Sequence, residues 1–322
     1  WRPGPGPGTV SPVTDSVRER VCFGLQGVDV MNIRVEHHRG AWRLILLLAG
    51  IVIPVYGYSH ELSGTYARIL SMHFSDDISA SGLRTEGGGK YSRWTVPWHS
   101  ECLYDTGMVC SGVYLRGSYI DLKGDVDDGA AVHWRAYGTL VGTDVTVRLS
   151  EHVSVRGGLG VGYARVRNMS RGMEGDENYE EVLGWERKNA LIVSPEISST
   201  ITSGNFTLSP GLSFLSLREF SSSRHDIGSH AGSYSVRMTY TFRDVFRVMG
   251  RGSDVIVENN TGGFYGPGWK EDLGFSLVNE TQLLFSIPFC VGGHVFSLRA
   301  GPGFIKGNGG ARGVSFSFGL KT

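Results

Sequence analysis

Between Val153 and Val166 the chain alternates residue by residue. Val153, Val155, Leu159, Val161 and Tyr163 hold one set of positions, with Ser154, Arg156, Gly158, Gly160, Gly162 and Ala164 on the other. Period two marks a β-strand with two unlike faces. In a water-soluble sheet the bulky face would meet a core and the other face water. Here the second face is nearly bare of bulk, which suits the inside of a closed barrel whose outer surface is apolar. If the pattern repeats, the chain is all-β, a transmembrane antiparallel β-barrel.

It does repeat. Leu62 to Phe74 alternates imperfectly; Tyr91 to Trp98, Gly112 to Leu122 and Val132 to Leu149 follow. Beyond the opening strand come Leu191 to Ile201, Phe206 to Phe214, Tyr234 to Phe242 and the weaker Arg251 to Asn259. Asp272 to Ile287, His294 to Phe304 and Gly313 to Lys321 complete about twelve strands, on the ~10-residue segment such barrels use. Asp76 to Lys90 is Gly-rich and polar and is expected to be a loop. Short turns at Ser150 to His152, Ser203 to Asn205 and Phe289 to Gly293 alternate with long loops at 168–188, 221–232 and 260–270. Outer-membrane barrels keep short turns on the periplasmic side and long loops outside, so both barrel ends are expected in the periplasm and the strand number is expected to be even. A secreted β-sandwich also alternates, but its solvent face carries more Lys and Glu than the Ser, Thr, Gly and Arg found here.

Composition excludes little. Lys+Arg and Asp+Glu are both 31, so bulk charge points to no nucleic-acid partner. Mean hydropathy is −0.09, a value that alternation produces by averaging. Of the four cysteines, Cys102 and Cys110 bracket a short polar loop and are the natural disulfide in an oxidising compartment.

The N-terminal part reads differently. Residues 1–30 open on Trp-Arg-Pro-Gly-Pro-Gly and carry no period, as expected of upstream or disordered sequence. From Met31, the basic residues Arg34, Arg39 and Arg43 precede the apolar run Leu44 to Val55, with small residues at Gly57 and Ser59. Residues 31–59 therefore read as a secretory signal peptide, the run being shorter than the ~20 residues of a membrane helix. The barrel is expected over 60–322.

Chemistry is sparse. Gly158, Gly160 and Gly162 lack the spacing and the following helix of a dinucleotide site and read as small inward residues. His225, Asp226 and His230 share a loop without a firm third ligand, and no C-x-x-C is present, so no metal or cofactor is indicated. His133, His152 and His294 form no evident Ser-His arrangement, so no enzyme is read. The informative residues are charges expected in the lumen: Arg156, Arg165, Arg237, Arg243 and Arg299, with Glu196 and Glu219. They either pair and brace the wall or form a cationic lining for anionic solutes.

With strands placed, Leu149-Ser-Glu-His-Val-Ser-Val-Arg-Gly-Gly-Leu-Gly-Val-Gly-Tyr-Ala and the final Val-Ser-Phe-Ser-Phe-Gly-Leu resemble the barrel of the autotransporter group over roughly Ser63 to the end. That resemblance implies twelve strands, an outer-membrane address, a lipid surround and help from the barrel-insertion machinery. Autotransporter barrels follow a passenger, whereas strands here begin almost at the expected cleavage site; a terminal aromatic is replaced by Phe318-Gly-Leu-Lys-Thr. The expected function is an integral barrel with a structural or surface-exposed role. A small-solute, anion-preferring channel and a lipid-active barrel enzyme are the alternatives.

Overall fold

The computed structural model describes residues 78–85, 88–100, 102–125, 131–170, 187–220, 229–248, 250–265, 275–291 and 294–321. The expected signal peptide and the strand expected at Leu62 to Phe74 lie outside them.

The chain runs β1 (Ile78–Arg84), β2 (Lys90–His99), β3 (Tyr104–Asp105), β4 (Val109–Asp125), β5 (Ala131–Arg148), β6 (Val153–Asn168), β7 (Arg187–Ser203), β8 (Phe206–Glu219), β9 (Ser229–Val248), β10 (Arg251–Tyr265), β11 (Leu277–Val291), β12 (His294–Gly307) and β13 (Arg312–Lys321). Every pairing is antiparallel. Each strand from β4 onward pairs with the next, β2 pairs with both β1 and β4, and β1 pairs with β13. Setting aside the two-residue β3, which extends a hairpin on β4, the circuit closes with twelve strands. Closure leaves no edge for another chain to pair with. The seam runs over seven pairs, from Ile78↔Phe318 to Arg84↔Arg312.

β1 corrects the reading of Asp76 to Lys90 as a loop. Ile-Ser-Ala-Ser-Gly-Leu-Arg carries too little bulk to show period two, yet its backbone is paired on both sides by β2 and β13. Ladder hydrogen bonds do not depend on side chains, which is why a strand of small residues escapes a pattern search.

Faces follow the alternation. On β13, Val314, Phe316, Phe318 and Leu320 are exposed while Ser315 and Ser317 are buried. Val141, Leu159, Val161 and Phe304 continue the exposed apolar surface around the circuit. In water this would be an unusually large apolar patch; as the outside of a barrel it is the lipid face.

One rim carries the first residue of β1, the last of β13, the tight turns at 149–152 and 204–205, and the ends at which β9 meets β10 and β11 meets β12 after two residues; the other carries the ends of β6 and β7, of β8 and β9 and of β10 and β11 that are furthest apart in sequence. On the short-turn rim β3 and β4 form a hairpin closed by the Cys102–Cys110 disulfide, Cα–Cα 5.3 Å. Its turn places Gly107 at φ 81°, where a side chain would be strained. Arg148 grips Asp105 with both terminal nitrogens at 3.0 Å, and the Gly107 amide donates to Asp105 Oδ1 at 2.7 Å.

The Arg148 hydrogen bonds first, then the Gly107 amide, hold the Asp105 carboxyl below its ordinary range. A carboxyl depressed on folding contributes stability in full above its unfolded value of about 3.9, and the contribution disappears as pH falls through the folded value. In the reduced protein, the protection factor of the Gly107 amide is therefore expected to drop on acidification below that range. Arg148→Gln should make the drop smaller and move it to higher pH, leaving the part set by the Gly107 amide; an unchanged acid profile in that variant would refute the assignment.

Candidate functional site in the lumen

The lumen at mid-height is built by neighbouring strands. Inward positions supply Arg116 from β4, Asp144 from β5, Arg156 from β6 and Glu196 from β7, with His99 reaching in from β2. Arg116 clamps Glu196 with both terminal nitrogens, at 2.7 and 3.1 Å. Arg156 Nε contacts Asp144 Oδ2, and its Nη2 lies 3.9 Å from Glu196 Oε1. His99 Nε2 is 2.7 Å from the same Asp144 oxygen. The Arg116 guanidinium also sits over the Tyr114 ring, 4.5 Å from its centroid. Asp144 and Arg116 have side chains only 3 % and 6 % exposed, so neither charge is tolerable there without the other members.

The glycines of β5 and β6 make room for this cluster. A Cβ at Gly142 would stand 2.3 Å from Tyr114 Cζ, one at Gly160 2.8 Å from the Tyr114 hydroxyl, and one at Gly158 2.9 Å from Glu196 Cγ. The bare face of the opening strand is thus a seat for side chains from β4 and β7.

Further round the wall Arg237 pairs with Glu258 at 3.4 Å. Arg299 faces inward beside Ser297, whose hydroxyl is 2.6 Å from that of Ser286. Arg243 is the last inward residue of β9 before the bulge at Asp244. Glu219 ends β8 on the alternation of Leu215 and Leu217, and its side chain is outside the described ones. Arg165 is a correction. It shares its face with Val161 and Tyr163 and lies opposite Tyr137, all exposed on the lipid side, because pleat parity is fixed along β6. His225 and Asp226 fall outside the described residues.

Sequence reasoning missed Arg116 and His99. Their strands carry large residues on both faces: Ile120 and Leu122 share the inward face with Arg116. With two bulky faces, parity cannot be assigned from the residues alone. The same inward apolar residues form a buried cluster toward the long-loop rim, with Trp134, Leu140, Ile192, Leu215 and Leu217. Below it lies a cavity of about 240 Å³ whose lining includes Arg93, Arg116, Arg156, Glu196, Arg237 and Asn260. The four-residue cluster of Arg116, Arg156, Asp144 and Glu196 carries two cations and two carboxylates, so its formal charge cancels. What such an arrangement does chemically is hold the wall in shape.

No protein-family profile matches the sequence, and no curated protein does. Among solved structures, the translocator domain of the autotransporter NalP from Neisseria meningitidis superposes with a TM-score of 0.50 at 11 % identity, over 79 % of this chain and 92 % of that one. The chain has the fold of an autotransporter translocator barrel. The β-domain of the Bordetella autotransporter BrkA gives 0.48 at 13 % identity over 76 % of this chain and 95 % of that one. The transport unit of AIDA-I from Escherichia coli gives 0.45 at 14 % over 82 % and 99 %. With its closed circuit and apolar exterior, this translocator-type barrel is an outer-membrane protein in architecture.

Proposed function

We propose that the protein is an integral outer-membrane barrel of autotransporter type whose role is structural or surface-exposed, with its lumen occluded and without turnover of its own. The observation that carries this is the buried apolar cluster on the lumen side, in which Leu140 and Ile192 are fully shut off from solvent. A water-filled pore would leave such side chains wet at a cost of roughly 1.5–3 kcal/mol each. The paired charges of Arg116, Glu196, Arg156 and Asp144 support bracing over an anion lining. Orientation follows from connection length: the short-turn rim faces the periplasm and the long-loop rim faces outward. Barrel insertion machinery and lipid are the partners this reading entails.

Planar-bilayer recording of the purified barrel tests it. Silent membranes, or brief openings without ion preference, are expected. Sustained anion-selective conductance that disappears in Arg237→Ala or Arg299→Ala would replace this reading with the channel.

A further inference from the structure

The outward cations are gathered at one height. At the long-loop rim, strand register lines up Lys306 on β12, Arg312 on β13, Arg84 on β1, Lys90 on β2 and Lys123 on β4, each directly opposite the next, with the His133 imidazole next in line on β5. One step nearer the membrane centre a second row continues from Arg135 on β5 to Arg167 on β6 and Arg187 on β7. Arg218 extends the cations to β8, opposite Leu191. Nine neighbouring strands of the twelve thus carry an outward cation at this rim.

Directly opposed like charges destabilise a sheet, so an unbroken row of them calls for an anion. Among the described outward side chains at this rim the only carboxylate is Asp121, already engaged by His133 Nε2 at 2.8 Å and Arg135 Nε at 3.5 Å. At the short-turn rim, Arg251 is the one Lys or Arg of a described strand that shares the outward alternation.

The order along the wall gives the depth. From Val141 and Val161 the outward face passes to Tyr137 and Tyr163 and then to the arginines. The rings of Tyr119 and Tyr137 lie 5.2 Å apart, and Tyr163 donates to Asn189 Oδ1 at 2.5 Å. Aliphatic band, aromatic girdle and cations succeed one another as hydrocarbon, interface and headgroup do. Neighbouring strands are about 4.8 Å apart, a spacing that lets one phosphate bridge two guanidinium or ammonium groups.

We propose that this belt binds the phosphorylated glycolipid headgroups of the outer leaflet, clamping the barrel laterally to its lipid. The proposal rests on the orientation given above.

Native mass spectrometry of the full chain in detergent tests it, with diphosphorylated lipid A and its dephosphorylated form as probes. The phosphorylated lipid is expected to bind at least tenfold tighter, and Arg167→Gln/Arg187→Gln to erase most of that margin, while Arg251→Gln leaves it unchanged. Equal binding of the two lipids by the unaltered protein overturns the proposal, whatever the folding of the variants. Full displacement by millimolar inorganic phosphate also overturns it, because the site would then be a free-anion site. Asn308→Cys in a Cys290→Ser background, treated on intact cells with an impermeant maleimide, separates the two claims. Labelling with no lipid preference sinks the belt alone; no labelling sinks the orientation and the belt with it.

Discussion

Asp144→Ala is expected to destabilise the barrel by about 3–5 kcal/mol, the cost of removing one partner from a buried ion pair. Asp144 is 3 % exposed, ion-paired with Arg156 and hydrogen-bonded to His99 Nε2, so alanine leaves a guanidinium in the wall without its carboxylate. Arg156 is 26 % exposed, and the water it keeps puts the effect toward the lower bound. The temperature at which the compact, fast-migrating band is lost in unboiled gels reads the change. Adding Arg156→Met to Asp144→Ala should recover a large part of the loss, since the uncompensated charge leaves with the arginine. If the double variant is no more stable than Asp144→Ala, the penalty comes from something other than the stranded charge.

Gly162→Val is expected to be at least as damaging. A Cβ at Gly162 would lie 2.1 Å from the Thr139 carbonyl oxygen and 2.9 Å from the Leu140 Cα, both backbone atoms of the adjoining strand. A flexible side chain could move aside; a paired backbone cannot, so β5 and β6 must separate locally. Ordinary overpacking costs about 1–3 kcal/mol, and the loss of ladder hydrogen bonds at this step adds to it. Gly124→Ala is the matched control, because a Cβ there meets nothing within 4 Å. Failure of the Gly162 variant to reach the compact form, beside normal folding of Gly124→Ala, is the expected pair of results. Equal folding of the two would show that the wall yields at Gly162.

The fold was legible wherever one face was bulky and the other bare. β6 and β13 stand where alternation puts them, β2, β8 and β12 extend only a few residues further, and β9 runs from Ser229 to Val248, well beyond the Tyr234 to Phe242 that alternation marks and into the expected loop. The number twelve was nevertheless reached with a different set: the count included Leu62 to Phe74, which lies outside the described residues, and left out β1, whose Ala, Ser and Gly leave no periodic trace. The end of β10 was misread for a related reason. Asn259, Asn260 and Thr261 have turn-forming preferences, but cross-strand bonds from Asn259 and Asn279 to each other and to Thr281 and Thr261 hold the strand on to Tyr265. Tertiary pairing here overrides local preference. In the lumen, Arg156 and Glu196 could be assigned because their strands have clear parity. Arg116 and His99 could not, since bulky residues on both faces conceal which side is inside. Arg165 was readable from Tyr163 two positions earlier, and only a count carried consistently along β6 separates it from Arg156. The Cys102–Cys110 bridge was legible because eight residues of separation and a tight turn bring the two together.

The order of the strands bears on how the circuit forms. All pairings except one join segments adjacent or nearly adjacent along the chain, so each can zip from a hairpin with little loss of chain entropy. The exception brings Ile78 to Phe318, across 318 − 78 = 240 positions, and a free chain would spend roughly 5 kcal/mol of entropy to close that distance. By the time the hairpins are laid side by side and curved, most of that entropy has already been lost, and the seven residues of β1 suffice to hold the ends together. Closure is then the late step of assembly and opening the early step of unfolding, both acting at the strand with the least side-chain bulk.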